Sequence, residues 1–160
     1  MPHTSSDISP ILLTRQIKTK LLMYFRFTRG FPYTATEAGT WNADVLASNG
    51  KEVVETEVKV SWNDFARDAK KPKHQFYRMP PDASGRRFPP NRFFYAVPPE
   101  LTPRILEHLE SAKSPYGLIE VQHGAPKLFD NGKFCEVRRQ ARKIHATPRT
   151  RAASTPYCPA

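Results

Sequence analysis

Two cysteines, Cys135 and Cys158, in 160 residues do not make a disulfide framework, and the histidines at 3, 74, 108, 123 and 145 show no zinc-ligand spacing with them. A reducing, cytoplasmic compartment is the default expectation. The chain has no long apolar run either. Its greasiest stretch, Ile11 to Phe27, is interrupted by Arg15, Lys18, Lys20 and Arg26, which excludes a membrane span and a secretory core. Also missing are a Gly-x-x-x-x-Gly-Lys phosphate loop, a Gly-x-Ser-x-Gly elbow, a dinucleotide fingerprint and any internal repeat.

Acids are absent from two segments. Ile8 to Thr36 carries five basic residues and no carboxylate, and 137–160 carries six and none, whereas 37–136 is balanced. The formal charge of +10 therefore sits on two flanks of a neutral body, which favours a polyanionic partner, DNA before an acidic membrane. Hydrophobic residues at 39% suffice for one packed domain, and sixteen prolines predict long irregular connections.

Ser9 and Pro10 open a helix that runs to about Thr28 and stops at Gly30. Leu13, Ile17, Leu21, Tyr24 and Phe25 repeat at helical spacing, while Arg15, Lys18, Arg26 and Arg29 take another face, either solvated or set against phosphates. Strands are expected over 31–39, 41–47 and 53–60, the last two joined by Ser48-Asn49-Gly50. Ser61 and Asp64 form an acidic capping box that starts a helix at Trp62, and Pro72 ends or kinks it. An exposed loop over 79–91, a strand over 93–97, a helix over 103–111 and a strand over 117–122 follow. A basic helix over 134–145 and a loose tail complete the chain. The fold class is α/β, with a mixed sheet of about five strands flanked by helices.

On the third strand Glu55, Glu57 and Lys59 alternate with Val54, Thr56, Val58 and Val60, so the charged residues share a face. Asp44, on the hairpin partner, would have to point to the same side as Glu57 for the two carboxylates to hold a hard divalent cation, Mg2+ or Mn2+, with the Val58 carbonyl as a further ligand. Lys59 beside it would orient or stabilise the phosphate while the cation activates a water. Such a set points to phosphodiester hydrolysis.

Asp44 followed by Glu57-Val58-Lys59 resembles the PD-(D/E)XK nuclease superfamily, the restriction-endonuclease-like fold. Glu57 to Ser61, Asp64 to Lys70, Pro72, Phe93 to Pro98, Tyr116 to Ile119 and Arg138-Arg139 are similar, in the same order, to MmcB-like DNA-repair proteins, a likeness spanning Ile11 to Ile144. The resemblance implies a nuclease-like domain over 8–146 with Asp44 and Glu57 as metal ligands and Lys59 as the catalytic lysine. It also implies Glu37 as an additional ligand, through water, on the first strand. The chain departs from the family pattern at Asn42, Lys71 and His74, where an arginine, a tryptophan and a tyrosine are usual, and 79–91 reads as an insertion.

The expected function is that of a metal-dependent DNA endonuclease or nuclease-like DNA-repair protein; the alternative is a DNA-binding module of the same fold that does not cleave. Arg15, Lys18, Arg26, Arg29, Lys70, Arg86, Arg87, Arg138, Arg139 and Arg142 are the candidate DNA contacts, with a disordered basic tail over 147–160. No membrane is expected, and a homodimer is compatible with the sequence. Glu55 is read as a supporting acid or an exposed strand residue, and Asp64 and Asp68 as a solvated first turn or as support for the site. His74 is a proton shuttle, a phosphate contact or neither, and Phe93, Phe94 and Tyr95 are core.

Overall fold

A computed structural model of the protein describes residues 8–79, 89–124 and 133–144. Helix α1 spans Pro10–Met23 and continues through one π-helical turn, Tyr24–Thr28; strands β1 (Tyr33–Ala38), β2 (Ala43–Ser48) and β3 (Val53–Val58) follow. Next come α2 (Trp62–Asp68), α3 (Pro72–Tyr77), β4 (Arg92–Val97), a short 3-10 turn (Pro99–Leu101), α4 (Thr102–Ser111), β5 (Gly117–Val121) and β6 (Cys135–Arg139).

The six strands form one mixed sheet in sequence order: β1, β2 and β3 are an antiparallel meander, β3, β4 and β5 run parallel, and β6 returns antiparallel to β5. Ile17, Leu21, Tyr24 and Phe25 of the first helical segment pack on one face against Val45, Val54, Val58, Phe94 and Ile119. Phe65 of α2, Tyr77 of α3 and Ile105 and Leu109 of α4 cover the other face against Phe93, Tyr95, Val97 and Leu118. Helices on both faces explain why every residue of β3 is buried. They also fix the problem that the site must solve, because two glutamates on that strand leave water with the rest.

The sixth strand corrects the expected helix over 134–145 and the count of about five. Cys135 and Val137 pair with Val121 and Ile119, and their alternation with exposed Glu136 and Arg138 is that of an edge strand whose charged side chains face water. Pro72 does not end a helix. It stands at the first turn of α3, where its missing N–H costs nothing, after α2 has stopped at Asp68.

The β2–β3 turn carries Asn49-Gly50 as expected, with Gly50 at φ +86 and the Asn49 side chain accepting the N–H groups of Lys51 and Glu52 at 3.0 and 2.8 Å. The expected exposed loop falls largely outside the described residues; of its described ends Met79 is 62% exposed, whereas Asn91 is 3% exposed and accepts the Val53 N–H at 2.8 Å. Arg86, Arg87, the 147–160 tail and Cys158 also lie outside the described residues. Among the described residues no helix is long and apolar enough to cross a membrane.

Candidate functional site

Strand register brings the predicted acids into one row. Thr36 pairs with Val45 and Ala38 with Ala43, which sets Glu37 opposite Asp44; Val45 pairs with Thr56, so one step on Asp44 faces Glu57. Glu57 in turn pairs with Tyr95 of β4. The row does not close into a carboxylate cage: among the described residues no three His, Cys, Asp or Glu side chains are grouped to hold a metal ion. Lysines stand between the acids instead.

At the β1–β2 end the Lys18 ammonium, delivered by α1, lies 2.7 Å from Asp44 Oδ1 and donates to Glu37 Oε1. Burial alone would lower the Lys18 pKa, but hydrogen bonds and charge from Asp44 and Glu37 outweigh it and raise it. The same hydrogen bond from Lys18 lowers the Glu37 carboxyl. Asp44 Oδ2 accepts the Val58 N–H at 2.8 Å. The Lys59 N–H goes to Ala96 on the β4 side, so the Val58 amide points toward β2 and finds a side chain there.

Glu37 is more exposed, and it sits at φ +51 with Asn42 at φ +53; the Asn42 amide donates to Glu37 Oε2 at 3.0 Å. Two non-glycine residues in the left-handed region cost on the order of 1 kcal/mol each, so the β1–β2 end is strained where the acids converge.

Deeper on the same sheet face lies a second cluster. Glu55, Glu57 and Lys59 project together from β3, as strand alternation requires, and all are at most 5% exposed. Lys73 Nζ is 3.2 Å from both Glu55 Oε1 and Glu57 Oε2. Lys71 Nζ is 3.0 Å from Glu57 Oε1 and 2.7 Å from Asp68 Oδ1, and Lys59 Nζ is 3.6 and 3.1 Å from the same two atoms. Glu57 Oε2 and Asp68 Oδ1 receive no well-angled hydrogen bond, so their hold on the ammonium groups is electrostatic rather than directional. Three carboxylates and three ammonium groups balance, which is what lets all but Lys71, whose side chain is 47% exposed, leave water.

Asp68 Oδ2 meets His74 Nε2 at 2.8 Å and accepts the Tyr95 hydroxyl at 2.9 Å, and His74 Nδ1 meets the Tyr116 hydroxyl at 2.9 Å. Tyr77 donates to Glu55 Oε2 at 2.5 Å. Burial would raise the Asp68 carboxyl, but the His74 hydrogen bond, the close Lys71 ammonium and the Lys59 and Lys73 charges hold it well below the usual carboxylate range. For Glu55 burial wins over Lys73 and Tyr77, and its carboxyl is raised.

Local sequence explains these placements. Ser61 Oγ accepts the Asp64 N–H at 3.2 Å and fixes the phase of α2, which buries Phe65 and Asp68. Pro72 restarts the chain as α3 and turns Lys73, His74 and Tyr77 inward. Glu55 is thus a buried partner of Lys73, not an exposed strand residue, and Asp68 is fully buried; Asp64 stands in the first turn of α2, its N–H taken by Ser61. Lys71, Lys73, Tyr77 and Tyr116 belong to the network although no motif singles them out as site residues. Their one sequence signal is the spacing of Lys73 and Tyr77, four apart on a helix opened by proline.

The candidate DNA contacts separate into two groups. Arg15, Arg26, Arg29, Lys70 and Arg138 are exposed, although Arg26 also donates to the Pro32 carbonyl at 2.6 Å and Arg138 pairs with Glu136. Lys18 is committed to Asp44 and Glu37. Arg139 donates to the Tyr116 and Ser114 carbonyls, and Arg142 reaches those of Lys113 and Ser114 at 3.0 and 3.3 Å.

Neither the protein-family models nor the curated proteins give a match to this chain. Among solved structures it is similar to a protein of unknown function, SPO1766 from Silicibacter pomeroyi, at 20% identity and a TM-score of 0.53, over 86% of this chain and 75% of that one. That likeness extends to the fold, a mixed α/β sheet between helices.

Proposed function

We propose that the chain is a nuclease-like DNA-repair protein of the restriction-endonuclease-like fold, acting on phosphodiester bonds with Asp44, Glu57 and Lys59. The observation that carries this reading is the corner at the end of β3: Asp44 takes the Val58 amide and faces Glu57 across the strands, and Lys59 follows on the same strand.

The donors suit a hard dication in kind, since Asp44 and Glu57 offer carboxylate oxygens. The positive charge they meet includes Lys18 on Asp44 and Lys71 on Glu57, two unit charges that one divalent cation would replace with no change in net charge. Lys71 has a side chain 47% exposed and can swing into water at small cost. Asp44, Glu57 and the Val58 carbonyl would hold Mg2+ or Mn2+, with Glu37 at the rim. Bound there, the ion supplies an activated water and neutralises charge building on the phosphate. Lys59, fixed between Glu57 and Asp68, presents its ammonium to the phosphate without a search through rotamers. Arg15, Arg26, Arg29 and Lys70 supply approach by charge.

A second reading, a DNA-binding module that does not cleave, is favoured by Lys73. It is 2% exposed, it meets Glu57 Oε2, and it cannot leave without stranding Glu55. The test is incubation with nicked, branched and single-stranded DNA plus Mg2+ or Mn2+. The nuclease reading expects cutting that Glu57→Gln and Lys59→Met abolish, and undiminished cutting by either variant refutes the roles. Salt-sensitive binding with no metal-dependent turnover selects the module.

A further inference from the structure

A cavity of about 380 Å³ opens beside α4, and its floor is the far side of the buried network: His74, 3% exposed, and Tyr116, 8% exposed. That volume lies in the range of small-molecule sites. Phe65 and His108 give it aromatic walls, their rings meeting edge to face with centroids 5.4 Å apart. Arg78 and Lys113 also line it, and among the described residues neither meets a carboxylate within ion-pair distance. Two unneutralised cations at an aromatic cavity call for an anion that carries a flat ring.

The floor is polar and fixed in orientation. His74 bridges the two groups, its Nε2 2.8 Å from Asp68 Oδ2 and its Nδ1 2.9 Å from the Tyr116 hydroxyl, so imidazole and phenol are held in place. The Tyr116 oxygen keeps a free lone pair, an acceptor for an N–H on the edge of a ring.

The wall is braced as well. The carbonyls of Lys113, Ser114 and Tyr116 are tied down by half-buried Arg139 and exposed Arg142, so two of the basic residues of the C-terminal flank brace the cavity's shape. Lys113 is held at φ +50, a conformation that favours glycine and is kept at a cost.

We propose that this cavity binds a nucleoside monophosphate, with the base against Phe65 and His108, its edge toward Tyr116, and the phosphate between Arg78 and Lys113. The ligand is either a free nucleotide or the terminal or extruded nucleotide of a strand; only the latter source rests on the DNA reading above.

The test titrates the ¹⁵N-labelled full chain with deoxythymidine monophosphate, without metal, and follows amide shifts in wild type, Arg78→Ala and Lys113→Gly. Glycine retains the left-handed backbone while removing the ammonium, and thermal melting checks that each variant folds. Binding by wild type with roughly tenfold or greater weakening in each variant is expected, the loss of one charge-assisted hydrogen bond. Thymidine and inorganic phosphate should each bind more weakly than the nucleotide.

Absence of shifts at millimolar nucleotide, undiminished affinity in both folded variants, or phosphate binding as tightly as the nucleotide would overturn the proposal. A 5′-phosphorylated oligonucleotide with an unpaired terminal thymidine separates the sources: tighter binding than the free nucleotide, lost in Lys113→Gly, assigns a strand end, and equal binding assigns the free nucleotide. The titration involves no cleavage, so an absence of nicking leaves it readable, and its failure leaves the nicking assay intact.

Discussion

Lys73 Nζ stands 3.2 Å from Glu55 and 3.2 Å from Glu57, so one buried ammonium serves two acids on the same strand. Removing it leaves two buried carboxylates short of a counter-charge. Lys73→Met should therefore destabilise the fold by about 3–5 kcal/mol, whereas the double change with Glu55→Gln should recover part of that loss. Urea unfolding of the single and double variants measures both; a loss below about 1 kcal/mol in the single variant would mean that the pair contributes little.

Lys71 differs because its ammonium reaches the surface. Lys71→Ala should cost little stability, about 1 kcal/mol or less, while removing a cation that competes for Glu57. Mn2+ titration by calorimetry should then show roughly tenfold tighter binding than wild type, and Asp44→Ala should abolish it. Unchanged affinity in Lys71→Ala would separate Glu57 from the metal.

Alkaline pH should unfold the protein early. Burial raises Tyr116 from 10.0 and Cys135 from 9.0, each to about 12, and it raises Tyr77 and Tyr95 further still. The native state thus keeps protons that the unfolded chain releases, so stability falls as pH rises from about 9 toward 12. Melting curves across that window check the sign, and Cys135→Ala should shift the onset toward the tyrosine range.

DNA affinity should divide the arginines as the structure does. Neutralising Arg15 or Arg29 should lower the slope of log affinity against log salt by about 0.9 for each phosphate left without its cation, with melting unchanged. Arg139→Ala should instead lower the melting temperature, because it frees two loop carbonyls. Anisotropy titrations at several salt concentrations distinguish the two.

At the start of β5, a Cβ on Gly117 would sit 2.4 Å from the Phe94 ring and 2.7 Å from the Ala141 amide. Gly117→Ala should cost at least about 2 kcal/mol, read from the shift in urea midpoint.

Much of this was legible from residue order. Period-two alternation in 53–60, the Asn49-Gly50 turn and the Ser61 cap located the meander and α2, because each is a local signal. Strand β6 was not, since Arg138, Arg139 and Arg142 crowd a segment whose only apolar alternation is Cys135 and Val137. The pairing of Asp44 with Glu57 followed from the hairpin, and Glu37 joined it only through the family resemblance. The lysine partners of this row did not follow, because Lys18 reaches it from a helix on the opposite face and Lys71 and Lys73 from beyond the next helix, distances in sequence over which no pattern of spacing operates.

Asp68 spends one oxygen on the ammonium groups beside Glu57 and the other on the imidazole beneath the α4 cavity. A single carboxyl therefore forms a party wall between two compartments. A change of charge or rotamer there is felt on both sides at once, and neither chamber can be redesigned without the neighbour's consent.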